Sequence, residues 1–489
     1  MAIQYFDVLI VGAGLSGIGA AYHLQQKCPG KTFAILEGRS AIGGTWDLFR
    51  YPGIRSDSDM HTLGYKFKPW INDKAIADGP AILQYVNEVA TEHGIDKQIR
   101  FNHKVESAEW SSTQAQWLVT ATNTDTRETV QLSCNFLYMC AGYYSYEAGY
   151  NPDFPGRETF GGKIVHPQFW PANLDYKDKN VVVIGSGATA ITLVPAMAQH
   201  AKKVVMLQRT PTYVYSLPEQ DRLANFMRKF LPASWAYAIT RWKNVTFQQR
   251  TYRLSRTKPA LVKSRILDRI RKELGPDYPV DTNFAPNYNP WDQRLCVVPD
   301  GDLFKSINSG KAVVVTDHID TFMPTGIRLK SGKTLDADII VTATGLNMVV
   351  LGGAKFTVDG KLIDFSKAWT YKGLMTSDVP NMVSTFGYIN ASWTLRADLT
   401  AELVCKLINY MDQTGTRQVT PRLHEQDCNM KPRPWVDHFS AGYMQRMLPA
   451  FPKQGDHAPW LNTQDYKLDK QLFRQDLQQD DALIFSNSN

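Results

Sequence analysis

The sequence has few cysteines, and none is spaced for metal binding or for a redox-active disulfide. Its six cysteines are scattered over 489 residues, with no C-x-x-C pair and no histidine spacing suited to zinc. They are Cys28, Cys134, Cys140, Cys296, Cys405 and Cys428. We therefore expect no metal site and a reducing, cytoplasmic location.

Targeting and membrane-spanning signals are also missing. Asp7 interrupts the apolar run near the N-terminus, and no basic stretch precedes it, so a secretory signal is not expected. The longest apolar window, residues 337–354, contains Asp338 and several glycines, which favours a buried strand and a turn over a membrane span. The net charge of +7 suits anionic cofactors, and without a nucleic-acid-binding signature we expect no nucleic-acid partner.

The first chemical motif present is a glycine-rich turn between a strand and a helix. The β-branched run 6–11 predicts a parallel strand buried on both faces, and Gly12, Gly14 and Gly17 follow it as G-x-G-x-x-G before a helical pattern. These glycines permit a tight turn, approach of a pyrophosphate and close packing of helix on strand. Glu37 follows a second strand, and its carboxylate would accept hydrogen bonds from ribose hydroxyls and repel a 2′-phosphate. This site is predicted to bind FAD or NAD.

A second strand–turn–helix unit of the same type is predicted to attract a 2′-phosphate, which the first unit would repel. The strand 181–184 runs into Gly185-Ser186-Gly187-Ala188-Thr189-Ala190, where alanine at the third glycine position is a permitted variant. The following strand ends in Arg209-Thr210, and a guanidinium there can bind a 2′-phosphate. We therefore predict FAD in the first unit and NADPH in the second.

These units predict an α/β fold with two Rossmann-like dinucleotide-binding domains. Residues 1–145 are expected to form the first part of the FAD-binding domain, and residues 146–345 the NADPH-binding domain. Residues 346–489 would supply the second part of the FAD-binding domain and a C-terminal tail, of which 415–489 give little pattern. Helix formers at about 217–290 predict a helical insertion in the second domain.

The predicted insertion is rich in basic and aromatic residues, and two interpretations stay open. One is a solvated helical cover over the active-site cleft. The other is a basic amphipathic helix that makes weak contact with a membrane surface, giving peripheral membrane association. The aromatic residues are Phe226, Phe230, Trp235, Tyr237, Trp242 and Phe247.

The segment 43–57 follows the first nucleotide unit and combines paired glycines, an aromatic residue and charged side chains. A disulfide reductase of similar layout would carry a cysteine pair just after Gly43-Gly44, where this chain has Thr45-Trp46. Electrons are therefore expected to pass from the flavin to an acceptor other than a protein disulfide, and molecular oxygen is the natural candidate.

Two motifs resemble those of the type I Baeyer–Villiger flavoprotein monooxygenases, a branch of the class B flavin monooxygenases. The residues Phe160, Gly162, His166, Trp170 and Pro171 match the family fingerprint at every specified position. The segment from Gly43 through Trp46 and Tyr51-Pro52-Gly53 to Asp57 is similar to a second family motif. Segments 47–60 and 288–304 are most similar to the ethionamide-activating type within that family.

The resemblance implies that NADPH reduces FAD and that a C4a-peroxyflavin, formed with O₂, inserts oxygen beside a ketone carbonyl. Oxidation of sulfides and thioamides would be a second activity. Arg294 would be the catalytic cation and Asp57 the carboxylate that orients it, because an anionic oxidant needs a fixed positive charge in a dry site. His166 would be a hinge element between the domains.

The resemblance also assigns cofactor-binding residues. Those of FAD would be Gly12, Gly14, Ser16, Gly17, Glu37, Gly44, Thr45, Trp46, Leu48, Asp57 and Val105. Those of NADPH would be Arg55, Gly185, Ser186, Gly187, Ala188, Thr189, Ala190, Arg209 and Thr210. Gln293 departs from the family, since many relatives have a lysine there that supports the 2′-phosphate.

Two rival functions stay open on the sequence. One is an N- or S-oxygenating monooxygenase that uses a protonated hydroperoxyflavin, and the other is a non-oxygenating NADPH-dependent reductase or redox sensor. The physiological ketone or sulfide substrate and the oligomeric state are open as well.

Overall fold

Two β-sheets, one behind each glycine-rich turn, organise residues 3–487, which a computed structural model of the protein describes. The first sheet has nine strands, and its parallel part places Leu9 between Ala34 and Leu137. Its strands are Gln4–Val11, Phe33–Leu36, Ile99–Arg100, His103–Ser111, Gln116–Asn123, Thr129–Met139, Lys355–Val358, Lys361–Leu362 and Met382–Ser384.

The central strand of the first sheet is buried on both faces, as its β-branched run predicts. Side chains alternate along the strand, so Val8 and Ile10 join the core under the helices, while Leu9 and Val11 pack on the opposite face with Trp110. The helix Leu15–Lys27, which follows the glycine turn, packs against the long helix Trp393–Thr414. The N- and C-terminal thirds of the chain thus share one core.

The second sheet is entirely parallel and has five strands. In spatial order they are Ala312–Thr316, Lys203–Gln208, Asn180–Ile184, Ile339–Thr342 and Lys163–Val165. The helix Ala188–Ala198 follows the central strand, so the second nucleotide unit has the predicted strand–turn–helix arrangement. The predicted α/β class with two Rossmann-like domains is confirmed.

Smaller pairings complete the described structure. The remaining strands are Tyr144–Gly149 with Leu346–Met348, Val214–Leu217 with Cys296–Pro299, the group Ile319–Met323, Gly326–Leu329 and Thr334–Asp336, Thr370–Tyr371 with Met375–Thr376, and Gln418–Pro421 with Leu483–Ser486. The other α-helices are Thr45–Leu48, Met60–Leu63, Gly79–Glu92, Arg222–Met227, Ala233–Thr257, Pro259–Leu274, Val280–Phe284, Asp302–Asn308, Gly442–Met447 and Tyr466–Leu472. The insertion expected at about 217–290 is therefore helical.

Two strand predictions were wrong at their boundaries. The apolar pattern of 99–105 predicts one strand, but Ile99–Arg100 and His103–Ser111 belong to opposite sides of a turn, where Asn102 adopts a φ of +60°. Asparagine tolerates this left-handed conformation, so the strand is interrupted there. The apolar patterns of 130–132 and 136–142 predict two separate strands, but 130–139 lie in one strand, Thr129–Met139, that pairs antiparallel at its start and parallel at its end.

In the part of the chain that is described, the cysteines form no disulfide and no helix could span a membrane. Cys28, Cys134, Cys140, Cys296 and Cys405 are buried free thiols, and the side chain of Cys428 lies outside the described residues. No helix between residues 3 and 487 has the length and apolar character needed to cross a bilayer.

Gly17 provides a test of the helix-on-strand packing. A Cβ at Gly17 would overlap the carbonyl oxygen of Gly12, so Gly17→Ala should force the helix away from the strand. We expect the free energy of unfolding in urea to fall by about 1–3 kcal/mol, the usual cost of overpacking. Gly30→Ala is the matched control, because a Cβ at Gly30 meets no atom within 4 Å. Equal stability of the two variants would contradict this role of Gly17.

Candidate active site

A cavity of about 640 Å³ opens at the carboxyl ends of the parallel strands of the first sheet. Val11, Leu36 and Cys140, at the ends of three of these strands, line it. Ligands of doubly wound α/β folds bind at this edge, and the volume lies within the usual range for small-molecule sites. Other lining residues include Gly12, Gly14, Ser16, Glu37, Gly44, Thr45, Trp46, Arg55, Asp57, Val105, Ala188, Thr189 and Arg294. Most of the FAD residues that the sequence assigned thus surround one space.

The start of the helix Leu15–Lys27 is free to bind an anion. Gly14 is its N-cap residue and supplies no side-chain hydrogen bond, so backbone N–H groups face the cavity without a protein cap. The Ser16 hydroxyl accepts a hydrogen bond from the Trp393 indole at 2.8 Å, which places the indole beside the same turn. Gly17 does not line the cavity, because its role is to pack the helix on the strand. The turn fits a pyrophosphate.

Glu37 lies at the position that should bind a ribose. Its side chain is buried, and its two carboxylate oxygens accept hydrogen bonds from the backbone N–H groups of Ala13 at 2.8 Å and Arg39 at 2.9 Å. Burial raises the pKa of Glu37, while these hydrogen bonds oppose the shift. A carboxylate held in this way retains lone pairs for ribose hydroxyls. Together with Val105 at the same end of the cavity, Glu37 fits the adenosine half of FAD.

Arg294 and Asp57 meet although they are far apart in the sequence. The Arg294 Nε lies 3.1 Å from Asp57 Oδ2, and both residues line the cavity. The Arg294 side chain is 45% accessible because it borders the cavity interior, whereas Asp57 is 11% accessible. Burial opposes the guanidinium charge, but Asp57 and then Tyr143 and Tyr144 outweigh it and raise the pKa of Arg294 above its usual value. The Arg294 guanidinium therefore presents a permanent positive charge to the cavity, and Asp57 holds it in place.

Trp46 and Thr45 line the cavity as expected, but Leu48 does not. Leu48 ends the short helix Thr45–Leu48 and packs against the core of the second domain. Trp46 and Leu48 are two residues apart in this helix, about 200° around its axis, so their side chains point in nearly opposite directions. We therefore assign Leu48 to packing between the domains instead of flavin contact.

A cluster of tyrosines beside Arg294 was not assigned from the sequence. Tyr143, Tyr144 and Tyr146 follow the end of the strand Thr129–Met139, and all three line the cavity. The Tyr143 and Tyr144 hydroxyls lie 2.6 Å apart, and burial raises the pKa of both. The apolar run 136–141 ends at Gly142, a pattern that predicts a strand whose tip touches the cofactor, so the tyrosine-rich run directly after it is the available signal.

The C-terminal tail closes one side of the cavity. Tyr443, in the helix Gly442–Met447, lines it, and the Ser440 N–H donates to the Asp292 carbonyl at 2.7 Å, in the loop that carries Arg294. Phe386 joins this tail to the cavity through an edge contact with Trp435, with ring centroids 4.3 Å apart. Nothing in the sequence of 415–489 indicated this, because the contacts are made between distant residues.

The second glycine turn offers a separate anion site. Gly187 is the N-cap of the helix Ala188–Ala198 and gives no side-chain cap, so that helix start is also free to bind phosphate. The Ser186 hydroxyl donates to the Thr210 carbonyl at 2.9 Å, which joins the turn to the next strand end. Arg209 is exposed and forms no ion pair within residues 3–487. These features fit a nucleotide with a 2′-phosphate.

The assigned NADPH residues divide into three groups by position. Ala188 and Thr189 line the cavity, whereas Gly185, Ser186, Gly187, Arg209 and Thr210 lie outside it. Ala190 is fully buried among the core residues of the second domain, so its side chain packs and does not contact a nucleotide. Arg55 lines the cavity and contacts Asp302 at 2.5 Å, while its buried Nε has no hydrogen-bond partner among the described residues.

His166 lies between the two chain segments that connect the domains. These segments pair as antiparallel strands, Tyr144–Gly149 with Leu346–Met348. The Gln168 N–H donates to His166 Nδ1 at 3.2 Å, so Nε2 carries the proton and donates to the Gly345 carbonyl at 3.2 Å. A side chain at Gly149 would overlap the imidazole ring. This position, outside the cavity, is consistent with a hinge element and not with an acid or base.

The fold and the site together define a flavoprotein with two dinucleotide-binding domains. Residues 10–73 match the model of the NAD(P)-binding Rossmann-like domain, and residues 72–273 match the flavin-binding monooxygenase-like model. The chain is 51% identical over 484 residues to the FAD-containing monooxygenase EthA of Mycobacterium tuberculosis, covering 99% of this chain and 98% of that protein. It is 48% identical over 487 residues to the putative FAD-containing monooxygenase MymA of the same species, with 99% and 98% covered.

The chain belongs to the flavin-binding monooxygenase-like family, and it is a flavin-dependent monooxygenase. The family resemblance identified in the sequence is therefore confirmed. Among solved structures, an oxidized steroid monooxygenase bound to NADP has a TM-score of 0.79 at 22% identity, with 99% of this chain and 100% of that chain covered. The OTEMO complex with FAD and NADP has a TM-score of 0.78 at 20% identity over the same shares. These structures share the fold.

The half-buried histidine between the connecting segments, His166, makes the stability of the protein depend on pH. Burial lowers the pKa of His166, so the folded protein favours neutral imidazole. The stabilisation from His166 is complete above the unfolded-state pKa of about 6.5 and is lost as pH falls through the lower folded-state pKa. We expect the Tm difference between the native protein and His166→Gln to shrink from about pH 7 to about pH 5.

The control for this measurement is His318→Gln, which replaces an exposed histidine away from the connecting segments. It should show no such trend. A Tm difference for His166→Gln that stays constant over this pH range would rule out a buried neutral imidazole at this position.

Proposed function

We propose that this flavin-dependent monooxygenase catalyses Baeyer–Villiger oxidation, inserting one oxygen atom of O₂ next to a ketone carbonyl to give an ester or lactone. Its cofactors are FAD and NADPH. The observation that carries the proposal is the Arg294–Asp57 pair, which faces the same cavity as the turn that fits FAD. When bound, FAD reduced by NADPH supplies the activation of O₂.

The chemical argument rests on the sign and permanence of the charge at Arg294. A nucleophilic oxygen species that attacks a carbonyl is anionic, and it must stay unprotonated until it reacts. Arg294 remains charged at every working pH because its pKa is raised. Its carboxylate partner at 3.1 Å restricts the guanidinium orientation. A preorganised cation in a site shielded from water stabilises developing negative charge more strongly than solvent can.

The lining of the cavity supports an apolar ketone as the substrate. Near Arg294 the wall contains Phe386 and Trp393, and the Tyr143 ring stacks on Trp393 with centroids 5.3 Å apart. Aromatic walls hold apolar groups by burial, while few polar groups fix the orientation. A linear or aromatic ketone would place its carbonyl toward the guanidinium and its apolar part against these rings.

Sulfoxidation of a thioether or thioamide is a second candidate, and the tyrosine pair favours it. Attack by sulfur needs an electrophilic, protonated oxygen donor, and the Tyr143 and Tyr144 hydroxyls are hydrogen-bonded at 2.6 Å in the wall of the cavity near Arg294. A hydroxyl pair of this kind can hold and pass a proton. The two reactions would then share one cavity and differ in protonation.

The first test replaces the proposed catalytic cation. Arg294→Ala should still oxidise NADPH in part, while ester formation from a methyl ketone falls by about 10²–10³-fold, the usual cost of losing one preorganised donor. Arg294→Lys is the matched variant, which keeps a charge but loses the planar fork, and it should retain an intermediate rate. Products are measured by gas chromatography together with NADPH and peroxide.

The outcomes of this test separate the alternatives. An unchanged ester yield in Arg294→Ala would remove Arg294 from the mechanism. If the native protein converts aryl methyl sulfides but no ketone, the N- or S-oxygenating alternative is correct. Peroxide release without any oxygenated product, from every substrate offered, would favour the non-oxygenating flavoprotein.

The second test concerns selection of the nicotinamide cofactor. Arg209→Ala removes the exposed guanidinium proposed to bind the 2′-phosphate, so the KM for NADPH should rise by about 10–100-fold, as expected for a charge-assisted hydrogen bond. The KM for NADH, which lacks that phosphate, should stay within about twofold, because no contact to it is lost. Lys202→Ala, another exposed cation of the same domain, is the control. Equal effects on both nucleotides would exclude this role.

A further inference from the structure

The long insertion helix, Ala233–Thr257, has an outer face that is apolar over its first three turns. Trp235, Ile239 and Trp242 are 66%, 44% and 71% exposed. They follow one another at spacings of four and three residues, so they form a single stripe along the helix. Surface helices normally turn such a stripe toward the core, and here it points to solvent.

The apolar stripe continues onto the preceding short helix, Arg222–Met227. Leu223, Phe226 and Phe230 are 50%, 59% and 72% exposed, and the rings of Phe226 and Phe230 lie 5.0 Å apart. Lys243, in the long helix, contacts Asp221 at the start of the short helix at 2.7 Å. The long helix therefore runs back along the short one, and the two sets of apolar side chains belong to one surface.

The inner face of the long helix explains why the apolar residues point outward. Arg241 is 9% exposed, and its Nη1 donates to the carbonyls of His61 at 2.9 Å and Gly64 at 2.7 Å. The Tyr237 hydroxyl donates to the Tyr65 carbonyl at 2.9 Å. These buried hydrogen bonds fix which side of the helix faces the protein. Rotating the stripe inward would break them and leave a buried guanidinium unpaired, which is costly.

The charged residues of the segment that carries this surface are all positive. Between Arg222 and Leu267 the sequence contains no aspartate or glutamate. It contains eleven basic residues: Arg222, Arg228, Lys229, Arg241, Lys243, Arg250, Arg253, Arg256, Lys258, Lys263 and Arg265. Arg222, Lys229 and Arg250 are exposed, and they form no ion pair with any described residue. Their charges are therefore available to an external anionic surface.

We propose that this surface docks the protein onto an anionic phospholipid bilayer. We call it the docking face and define it as Leu223, Phe226, Phe230, Trp235, Ile239 and Trp242 with the cations Arg222, Lys229 and Arg250. Tryptophan and phenylalanine prefer the headgroup level of a bilayer, and basic side chains beside them bind lipid phosphates. A protein partner would instead have to complement a mainly aromatic apolar stripe that is surrounded by positive charge alone.

The helix of the docking face also holds the segment that adjoins the wall of the active site. On the inner side, Asn244 donates to Asp59 Oδ1 at 2.9 Å and Gln248 donates to Asp59 Oδ2 at 3.1 Å. Asp59 directly follows Asp57 and Ser58, which line the cavity. Docking would thus hold the catalytic cavity within one helix diameter, about 10 Å, of the lipid surface. Apolar substrates dissolved in the bilayer would be concentrated beside the site.

The test is co-sedimentation of the FAD-loaded protein with vesicles, which needs no turnover. We expect binding to vesicles that mix phosphatidylcholine with phosphatidylglycerol and little binding to phosphatidylcholine alone. The double variant Trp235→Ser/Trp242→Ser should lower the partition coefficient by about tenfold or more, since each buried tryptophan contributes a large apolar area. Lys229→Glu should lower it by at least about fivefold and decrease its salt dependence, because less positive charge then faces the anionic surface.

Matched controls keep the result interpretable. Leu362→Ser removes a side chain that is 69% exposed on the edge of the first sheet, and it should leave vesicle binding unchanged. The variants should retain FAD absorbance and the NADPH oxidation rate of the native protein. Vesicle binding and NADPH oxidation are both measured without a ketone, so the test does not depend on the proposed ketone oxidation.

Several outcomes would overturn the proposal. They are equal sedimentation with both vesicle types, equal loss in Leu362→Ser and the tryptophan variant, and absence of binding by the native protein. If the native protein is a dimer in light scattering that the tryptophan variant converts to a monomer, without any vesicle binding, the face is an interface between two copies instead.

Discussion

The ion pair between Arg294 and Asp57 is the interaction on which the site depends. It joins the segment after the first nucleotide turn to a loop that follows the helical insertion, 237 residues later. Asp292 holds that loop from two sides, because its carboxylate contacts Arg256 of the insertion at 2.6 Å and its carbonyl accepts from Ser440 of the tail. The guanidinium is thus positioned by the insertion, the tail and a carboxylate of the first domain. A fixed charge in a protein cavity acts strongly only when its position is restricted in this way.

The aromatic wall beside this pair is built from residues that are distant in the sequence. Tyr143 follows a strand of the first sheet, Trp393 begins the last long helix, and Tyr443 comes from the tail. The Trp393 indole also donates to Ser16, so the wall and the pyrophosphate turn are joined by one side chain. Cofactor binding and substrate binding are therefore expected to be coupled, since movement of this tryptophan would alter both surfaces.

The insertion has two unlike faces, and both bear on the function we propose. Its inner face uses buried polar bonds from Arg241 to the backbone near residues 61–64, which fixes the helix beside Asp59. Its outer face leaves Trp235 and Trp242 in solvent. The sequence left open whether this region covers the cleft or contacts a membrane. No residue of the insertion lines the cavity among residues 3–487, and the long helix reaches the site through its hydrogen bonds to Asp59.

Local features of the sequence determined the two dinucleotide turns, the sign of charge at Glu37 and Arg209, and the helical insertion, because glycine spacing and hydrophobic period act over a few residues. Tertiary structure alone decided which side chains meet. It turned Leu48 and Ala190 into packing residues, interrupted the strand at Asn102, and brought Tyr443 to a cavity that its own segment does not predict. The physical reason is that the direction of a side chain follows from packing against residues hundreds of positions away, while the conformation of a turn follows from its own backbone.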